Sequence, residues 1–218
     1  MPYVRTDSAA VGGGSGAARA VAAASSRGEP VELLAPNLLR TSRMILRPLR
    51  ESDREGFLRM IRSSESELKK WVHPHREGES DEELFVRHLA LCREGEARGI
   101  AARRVAILDD GRIAGCFNLN SISRGLVFEA DFAWWIATDL WGQGLGTEAA
   151  QAMLDLAFLD LPRGLGLHRV QAAIHPINER SLRMALRLGF KLQEGARVSV
   201  RVGDRWEAHD LYARSLSV

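Results

Sequence analysis

The sequence predicts an α+β (mixed α/β) fold in which a central mixed, mostly antiparallel twisted sheet carries helices on both faces. The first observation is the order of the elements: strand, two helices, three strands, helix, strand, helix, two strands. The second is that several strands adjacent in the chain are joined by short turns typical of hairpins. The third is a glycine-rich turn between a central strand and the helix that follows it.

Hydrophobic periodicity and turn residues place seven strands and four helices along the chain. The strands are predicted at residues 43–49, 105–108, 113–117, 128–136, 168–174, 190–202 and 206–214. The helices are predicted at residues 52–62, 81–98, 147–158 and 178–188. Ser52 and Glu55 have the spacing of a capping box at the start of the first helix. Asp110 and Gly111 mark a hairpin turn, and Gly189 ends the last helix.

The composition of the 218-residue chain is that of a globular protein with one catalytic-size domain and an appendage. The formal net charge is +2 with basic and acidic residues interleaved, so no nucleic-acid partner is expected. No apolar run could span a bilayer, so no membrane partner is expected either. Cys92 and Cys116 belong to no Cys/His cluster, which predicts no metal site and fits a reducing cytoplasm.

The start of the chain differs from the rest, because residues 8–27 consist mainly of Ala, Gly and Ser. Such a segment buries too little apolar surface to offset the entropy lost on ordering. We therefore expect residues 1–35 to be a flexible tail and residues 36–218 to form the domain. The glycines at residues 12–16 interrupt the apolar core that a secretory signal would need.

The most informative segment is residues 141–147, where glycine occupies every second position after a strand and before a helix. Glycine lets the backbone come close to a ligand, and unpaired N–H groups at the helix start point at an anion. The helix dipole adds partial positive charge, so this turn is expected to bind a pyrophosphate.

Three alternatives to this interpretation are weaker. A dinucleotide-binding fingerprint needs a glycine where Thr147 stands, which argues against a nucleotide-binding oxidoreductase. A P-loop needs a lysine and then Ser or Thr after its last glycine, but Gly146 is followed by Thr147 and Glu148. A loop that only turns needs one glycine, so three alternating glycines favour ligand binding over a purely structural role.

Several segments match a known family in order and spacing. Gly144 and Gly146 occupy the glycine positions of its pyrophosphate turn, although Trp141 stands where Gln or Arg is usual. Residues 131–136 and 178–190 match its central strand and its cofactor-side helix and next strand. From about residue 38 onward the chain resembles the GNAT superfamily of acyl-CoA-dependent N-acetyltransferases, within it the RimJ/RimL-type (ribosomal-protein N-terminal acetyltransferase-like) branch.

The resemblance implies a GNAT-like fold and an acetyl-CoA co-substrate without a metal. The residues it implies for cofactor binding are Trp135, Ile136, Trp141, Gly142, Gln143, Gly144, Leu145, Gly146, Thr147 and Asn178. The backbone N–H of Trp135 or Ile136 would donate to the oxyanion if the bulged strand of the family is present. Asn178 also fits the position of a helix cap.

Two residues are candidates for the chemistry. Asp131 stands where the family often has a glutamate, and its aromatic neighbours could desolvate the carboxylate. It would either assist removal of a proton from the amine or only orient that amine. Ser181 is the candidate acid for the leaving thiolate, or else a capping residue. Ala185 stands where much of the superfamily has a tyrosine, and residues 196–201 lack a glutamate that some members of the branch carry.

The acceptor amine is expected to contact the segment between the first two helices and one face of the central strand. The candidate substrate-binding residues are Trp71, His73, His75 and Trp134. His73 and His75 have no third ligand nearby, so a metal site is not expected. Trp134 and Trp135 point to opposite faces of their strand, so one is expected in the core and the other at the acceptor site.

The resulting hypothesis is an N-acetyltransferase that transfers acetyl from acetyl-CoA to a primary amine by direct attack in a ternary complex. The branch resemblance implies a protein N-terminal amine, ribosomal-protein-like, as acceptor. One alternative is a small-molecule amine such as a polyamine, amino sugar or antibiotic. Another is an acyl-CoA-binding sensor without turnover. Exposed strand edges make a homodimer a further expectation.

Overall fold

The computed structural model describes residues 32–35 and 37–216. In this part of the chain the strands are β1 (Glu32–Ala35), β2 (Leu38–Arg40), β3 (Met44–Arg47), β4 (Ala102–Leu108), β5 (Ile113–Arg124), β6 (Phe128–Ile136), β7 (Arg169–Ile174), β8 (Lys191–Val202) and β9 (Arg205–Ser215). The α-helices are α1 (Arg54–Leu68), α2 (Asp81–Ala97), α3 (Leu145–Phe158) and α4 (Glu179–Arg187).

All the strands join one sheet in the order β1-β2-β3-β4-β5-β6-β7-β9-β8. Every neighbouring pair is antiparallel except β6 and β7, which are parallel and are connected through α3. The predicted fold class is therefore confirmed, and so is the order of the seven predicted strands and four helices. No helix in the described part of the chain combines the length and apolar character needed to cross a membrane.

Two short strands at the start were not predicted, because three or four residues are too few to show a periodicity. β1 pairs with β2, and β2 pairs with β3. The predicted boundary at residue 36 is thus too late, since the sheet already includes Glu32–Ala35. The rest of the predicted tail, residues 1–31, lies outside the described residues.

The start of α1 also differs from the prediction. Ser52 and Glu55 do not form the expected capping box, because Asp53 organises the turn instead. Its carboxylate accepts two hydrogen bonds of 2.7 Å from Arg47 and one of 2.8 Å from the Arg50 N–H. The ion pair is largely buried, which favours Asp53 over the exposed hydroxyl. A single 3₁₀ turn precedes α1, and α1 itself continues to Leu68.

The centre of the sheet is covered on both faces. Residues 113–117 of β5 are all buried, although successive side chains of a strand point to opposite faces. Helix α1 approaches one of these residues, since a Cβ on Gly56 would lie 3.7 Å from Ile113. Helix α3 contributes fully buried Met153 and Leu154, each worth roughly 1.5–3 kcal/mol of burial. This core fixes β6 and α3 relative to each other, and with them the glycine-rich turn.

The parallel pair β6 and β7 separates part-way along its length. Pairing runs only from Glu129 opposite Arg169 to Asp131 opposite Gln171. β6 nevertheless continues to Ile136 and β7 to Ile174. Beyond Asp131 the β7-facing edge of β6 therefore has no strand partner within the described residues, and its backbone groups are available to a ligand.

Candidate active site

A cleft of about 910 Å³ lies between the end of α1, the end of β6, the glycine-rich turn and the start of α4. We call it the central cleft. It is lined by Glu67, Leu68, Trp71, Val72, Trp134, Trp135, Ile136, Leu140, Trp141, Gly142, Gly144, Gly146, Thr147, Ile177, Asn178, Glu179, Arg180, Ser181, Arg183, Met184 and Arg187. Most of the predicted site residues are among them. The predicted residues outside the lining are Asp131, His73, His75, Gln143 and Leu145.

The glycine-rich turn has the backbone that an anion site requires. Gly142 and Gly144 have φ angles of 77° and 79°, a region that glycine enters without strain. Gly144 caps α3 and has no side chain to accept from the first-turn N–H groups. A Cβ on Gly146 would lie 3.2 Å from Met184 Sδ and 3.3 Å from Ile136, so this glycine permits close packing. The turn thus presents unpaired N–H groups at the positive end of α3.

Two other residues of the turn have supporting positions. Leu145 is buried in the core. The Gln143 side chain donates to the Asp139 carbonyl at 3.3 Å. Of Gln143, Leu145 and Thr147, all predicted to bind the cofactor, only Thr147 lines the central cleft. Leu145 and Gln143 hold the shape of the turn.

Arg43, just before β3, braces the glycine-rich turn from outside the cleft. Its Nη1 donates to the Gln143 carbonyl at 2.9 Å, and its Nε donates to Glu148 Oε2 at 2.7 Å. Glu148 Oε1 accepts from the Arg43 N–H and from Ser42 Oγ, each at 3.0 Å. Burial raises the pKa of Glu148, but the hydrogen bonds from Arg43 and the preceding hydroxyls outweigh burial and keep it low. Sequence reasoning missed this brace, because its halves lie 105 residues apart.

Helix α4 adds cations to the same cleft. The Arg180 guanidinium lies 3.8 Å from the centre of the Trp141 ring, and the Trp141 indole donates to the Ile136 carbonyl at 3.1 Å. Arg183 and Arg187 also line the cleft. Trp141 therefore holds a cation at the turn by cation–π contact, although it is not itself the Gln or Arg that the family pattern has. Spacing of three or four residues between these arginines could have indicated a cationic helix face.

Of the two predicted oxyanion donors, the backbone N–H groups of Trp135 and Ile136, only one points away from β5. The Ala137 N–H donates to the Ala114 carbonyl on β5 at 2.8 Å. Because backbone groups alternate along a strand, Ile136 turns its N–H toward the gap beside β7. A Cβ on Gly115 of β5 would collide with the Trp135 carbonyl, so the backbone of Trp135 points toward β5 instead. The register between β5 and β6 is regular at this point, so the bulge named above as a condition for this role is not observed. Only Ile136 can donate into the gap.

Asn178 and Ser181 lie together at the start of α4. Asn178 Oδ1 accepts from the Ser181 N–H at 3.2 Å, so Asn178 caps the helix. Both residues line the central cleft. The Ser181 hydroxyl makes no hydrogen bond with the described part of the chain, which leaves its proton for a ligand.

Asp131 lies where β6 and β7 separate. Its Oδ1 accepts from Gln171 Nε2 at 2.9 Å. The side chain is exposed, and the neighbouring Phe132 points to the opposite face, so the expected aromatic desolvation is absent. Five residues of strand separate Asp131 from Ile136, roughly 16 Å, which is beyond hydrogen-bond reach of a carbonyl held at Ile136.

Trp134 and Trp135 point to opposite faces of β6, and both line the central cleft. The ring of Trp134, a predicted acceptor-site residue, lies 5.0 Å from Phe132 and 6.2 Å from Phe190. That face is opposite Asp131, because side chains alternate along the strand. Trp135 shares the face of Asp131.

The segment between α1 and α2 brings one of its three predicted residues into the cleft. Trp71 lines the central cleft. A Cβ on Gly203 would lie 2.8 Å from the His73 ring, so His73 packs against the β8–β9 turn. His75 pairs through Nε2 with Asp81 at 2.8 Å and supports the start of α2 outside the cleft. Within the described residues no cluster of His, Cys, Asp or Glu suits a metal ion.

Sequence reasoning missed a polar group behind Trp71. The His175 ring lies 6.0 Å from Trp71 and 5.1 Å from His209, and its Nε2 lies 3.4 Å from Glu207. No local pattern indicates this group, because His175 directly follows β7 whereas His209 and Glu207 belong to β9. Glu67 was also missed, and it is the carboxylate that α1 contributes to the central cleft.

A family model for the acetyltransferase (GNAT) domain matches residues 43–191, which is more than half of the chain. The chain belongs to this GNAT family. The class of enzyme is thus that of the acyl-CoA-dependent acetyltransferases, as predicted. The matched region includes the glycine-rich turn, α4 and both halves of the Arg43 brace.

Similar proteins agree with this assignment. The chain is 33% identical to the probable N-acetyltransferase YjcK of Bacillus subtilis over 104 residues. The matched region covers 48% of this chain and 55% of YjcK. The chain thus spans about half the length of that relative. The chain is also 25% identical to Mycobacterium smegmatis RimJ, whose structure is known in complex with CoA-disulfide, and the TM-score is 0.68. The likeness covers 79% of this chain and 81% of that one.

A second solved structure shares the fold at lower identity. It is the ribosomal-protein-S5-alanine acetyltransferase from Vibrio fischeri, with 22% identity and a TM-score of 0.70. The likeness covers 82% of this chain and 96% of that one. The structural neighbours of this GNAT protein are therefore of the RimJ/RimL type.

The central cleft of this GNAT protein fits a CoA thioester by its own chemistry. The N–H groups of the glycine-rich turn and the three α4 arginines suit a phosphate-rich ligand. The open edge of β6 suits the amide groups of an extended arm. These two features meet in one cavity, and Arg180 joins them through Trp141 and the Ile136 carbonyl.

Proposed function

We propose that this GNAT protein transfers the acetyl group of acetyl-CoA to the N-terminal α-amine of a protein, by direct attack in a ternary complex. The observation that carries the proposal is the central cleft, in which an anion-binding turn adjoins an open strand edge. The names of the solved neighbours, RimJ and a ribosomal-protein acetyltransferase, support a protein acceptor resembling a ribosomal protein.

The residues of the cofactor side are assigned by their positions. The N–H groups of Gly144 to Thr147 bind the pyrophosphate, and Arg180 adds charge at the same point. Arg183 and Arg187 neutralise the remaining phosphate. The edge of β6 up to Ile136 and the Asn178 amide bind the pantetheine arm. Acetyl-CoA supplies the thioester, and the Ile136 N–H donates to its carbonyl oxygen as charge develops there.

The acceptor amine must lose a proton before it attacks, since an N-terminal ammonium has a pKa near ~8. Two carboxylates line the cleft, and Glu179 lies on α4 among the cofactor-side arginines whereas Glu67 lies on α1. Glu67 is therefore assigned to accept this proton, directly or through one water. Asp131 lies roughly 16 Å from Ile136 along the strand, so it is assigned to hold the acceptor rather than to take its proton. The Ser181 hydroxyl donates to the leaving sulfur.

The proposal gives the carboxylates of Glu67 and Asp131 different roles, which substitution can distinguish. Glu67→Gln should lower kcat about 10²-fold or more at neutral pH and leave the KM values nearly unchanged, because a base is lost. Asp131→Asn should instead raise the KM of the acceptor several-fold and leave kcat nearly unchanged. Glu129→Gln, on the same strand, is the control for Asp131. A loss of kcat with Asp131→Asn that is absent with Glu67→Gln would reverse the two roles.

The experiment that tests the function is thiol release from acetyl-CoA, measured with peptides of different N-terminal residues and with a panel of polyamines, amino sugars and antibiotics. Turnover with one class of peptide supports the proposal and identifies the acceptor. Turnover only with small amines replaces the protein acceptor with a small molecule. Tight CoA binding without release in any reaction would identify a sensor and overturn the enzymatic role.

Two further proposals concern the setting of this activity. The cytoplasm is the proposed location, because Cys92 and Cys116 are both buried free thiols. A homodimer is proposed through the outer edge of β8, which is largely exposed and ends the sheet.

A further inference from the structure

A second, smaller pocket lies beside the acceptor side of the sheet. It has a volume of about 270 Å³ and lies between the second half of α2 and the strands β4 and β5. We call it the α2 pocket. It is lined by Leu91, Glu94, Gly95, Ile100, Ala101, Arg103, Asn120 and Ser121.

The α2 pocket contains a cation without a counterion. Arg103 makes no ion pair with the described residues, and its Nε is buried without a hydrogen-bond partner. The adjacent Arg104, by contrast, is 2% exposed and pairs with Glu96 at 2.5 Å. Glu94 lines the pocket but already pairs with Arg98 at 2.8 Å. A half-buried guanidinium costs free energy unless an anion satisfies it.

The surroundings strengthen this demand for an anion. Burial lowers the pKa of Arg103, and the like charge of Arg87 acts in the same direction. Arg87 itself is already paired with Glu79 at 2.6 Å. Asn120, which also lines the pocket, has its Oδ1 buried without a partner as well.

The register of the sheet places this pocket on the acceptor side. Asn120 on β5 is directly opposite Asp131 on β6, so both side chains lie on one face. Arg103 on β4 is opposite Asn118, which shares that face with Asn120. Trp135 lies further along the same face of β6. A polar floor thus leads from the central cleft past Asp131 to the α2 pocket.

The length of this floor sets which part of an acceptor reaches the pocket. Three to five steps along β6 separate Asp131 from residues 134–136, which line the central cleft, and one strand spacing separates Asp131 from Asn120. The path is roughly 11–17 Å, which three to five extended peptide residues cover. Asp131 turns its carboxylate to Gln171, away from Asn120, and so leaves the path to the pocket open.

We propose that the α2 pocket is a specificity subsite that binds a carboxylate side chain within the first five residues of a peptide acceptor. This inference rests on the proposed function and names the acceptor class. The Arg103 fork donates to the carboxylate, since planar bidentate recognition suits guanidinium. An acidic residue therefore supplies the counterion that Arg103 lacks.

The test uses pairs of peptides that differ only by Asp or Asn at position 3, 4 or 5. Their binding to the CoA-loaded protein is measured by calorimetry, and their acetylation by thiol release. At one position the Asp peptide should bind roughly tenfold or more tightly than its Asn twin. Arg103→Met, which retains the apolar stem, should abolish this preference and leave the KM for acetyl-CoA unchanged.

Two further variants make the result specific. Asn120→Asp supplies Arg103 with a carboxylate from the chain itself and should also abolish the preference. Arg93→Met removes an exposed cation of α2 outside the pocket and should retain it. Equal affinity for all Asp and Asn twins, or a preference that survives Arg103→Met, overturns the subsite. Preferential binding of Asp peptides without any thiol release supports the subsite while refuting the proposed function.

Discussion

The cofactor side and the acceptor side of this protein are built in different ways. The cofactor side consists of two short segments, the glycine-rich turn and the start of α4, and its chemistry depends largely on backbone groups. The acceptor side is assembled from β4, β5, β6 and β7, with each strand giving one or two side chains. A site built from contiguous residues is readable in a sequence, whereas one built across strands depends on register.

The two sides should also differ in how well they tolerate amino-acid substitutions. The glycine-rich turn depends on conformations that only glycine adopts freely, so single substitutions there should be severe. The acceptor side depends on exposed or half-buried side chains, so substitutions there should change selectivity more than catalysis. The following predictions test this contrast, beginning with the largest effect.

Gly144→Val should be the most damaging single change on the cofactor side. A φ of 79° is strained for a β-branched residue, and the new Cβ would lie 3.5 Å from Arg43. The KM for acetyl-CoA should rise at least tenfold. Gly111→Val, at a φ of 82° in the β4–β5 turn, is the matched control: it should lose stability with an unchanged KM. Equal effects on KM would show that backbone strain alone, not the site, was measured.

The Arg43 brace should give a smaller, coupled effect. Arg43→Met and Glu148→Gln should each raise the KM for acetyl-CoA about three- to tenfold, because the turn loses its external support. The double variant should be little worse than either single one, since each breaks the same contact. Kinetics of the four proteins would measure this coupling. Additive effects, or an equal rise in the KM of the acceptor, would contradict a role specific to the turn.

Acid should lower the free energy of unfolding of the protein through protonation of His88. His88 on α2 is partly buried, and this burial together with the positive charges of Arg87 and Arg103 lowers its pKa to about 4. In the unfolded chain it titrates near ~6.5, so the unfolded state binds the proton first as pH falls. Stability is fully present above pH ~6.5 and is lost as pH falls toward about 4.

Denaturant unfolding at pH 7 and pH 5 would measure this loss. The wild-type protein should lose about 1–2 kcal/mol more than His88→Gln over that interval. His168→Gln, an exposed histidine, should behave like the wild type. An identical pH dependence of the wild type and His88→Gln would show that His88 takes up its proton equally in the folded and unfolded states.

Ser181→Ala should have the smallest effect. A thiolate is a good leaving group, so loss of the donor should reduce kcat about twofold, mainly at alkaline pH. The helix cap should survive, because Asn178 accepts from the Ser181 backbone rather than from its hydroxyl. The pH profile of kcat would measure the change. A loss above about tenfold would make Ser181 a larger contributor than the cofactor-side geometry suggests.

The glycine-rich turn and the helix after it were predicted from signals that are local in the chain. In the structure Gly142 and Gly144 have positive φ angles, and α3 starts without a side-chain cap. β6 was predicted with its observed ends, because its alternating apolar residues extend over its whole length.

Other features do not follow from a single local pattern. Asp53 pairs with Arg47, six residues away, and so displaces the capping box expected at Ser52. His75 pairs with Asp81, also six residues away, and lies outside the lining of the central cleft. Alternation shows that Trp134 and Trp135 diverge but not which face of β6 a helix covers.

The sequence by itself determined the order of the elements, the glycine-rich turn, the cap of α4 and the family, since each depends on residues close together in the chain. Only the tertiary structure decided the separation of β6 from β7, the Arg43 brace, the choice of Ile136 over Trp135 and the unpaired Arg103. These features depend on strand register and on contacts between distant segments. Such contacts arise when the core forms, because burial fixes which face of each strand meets which partner.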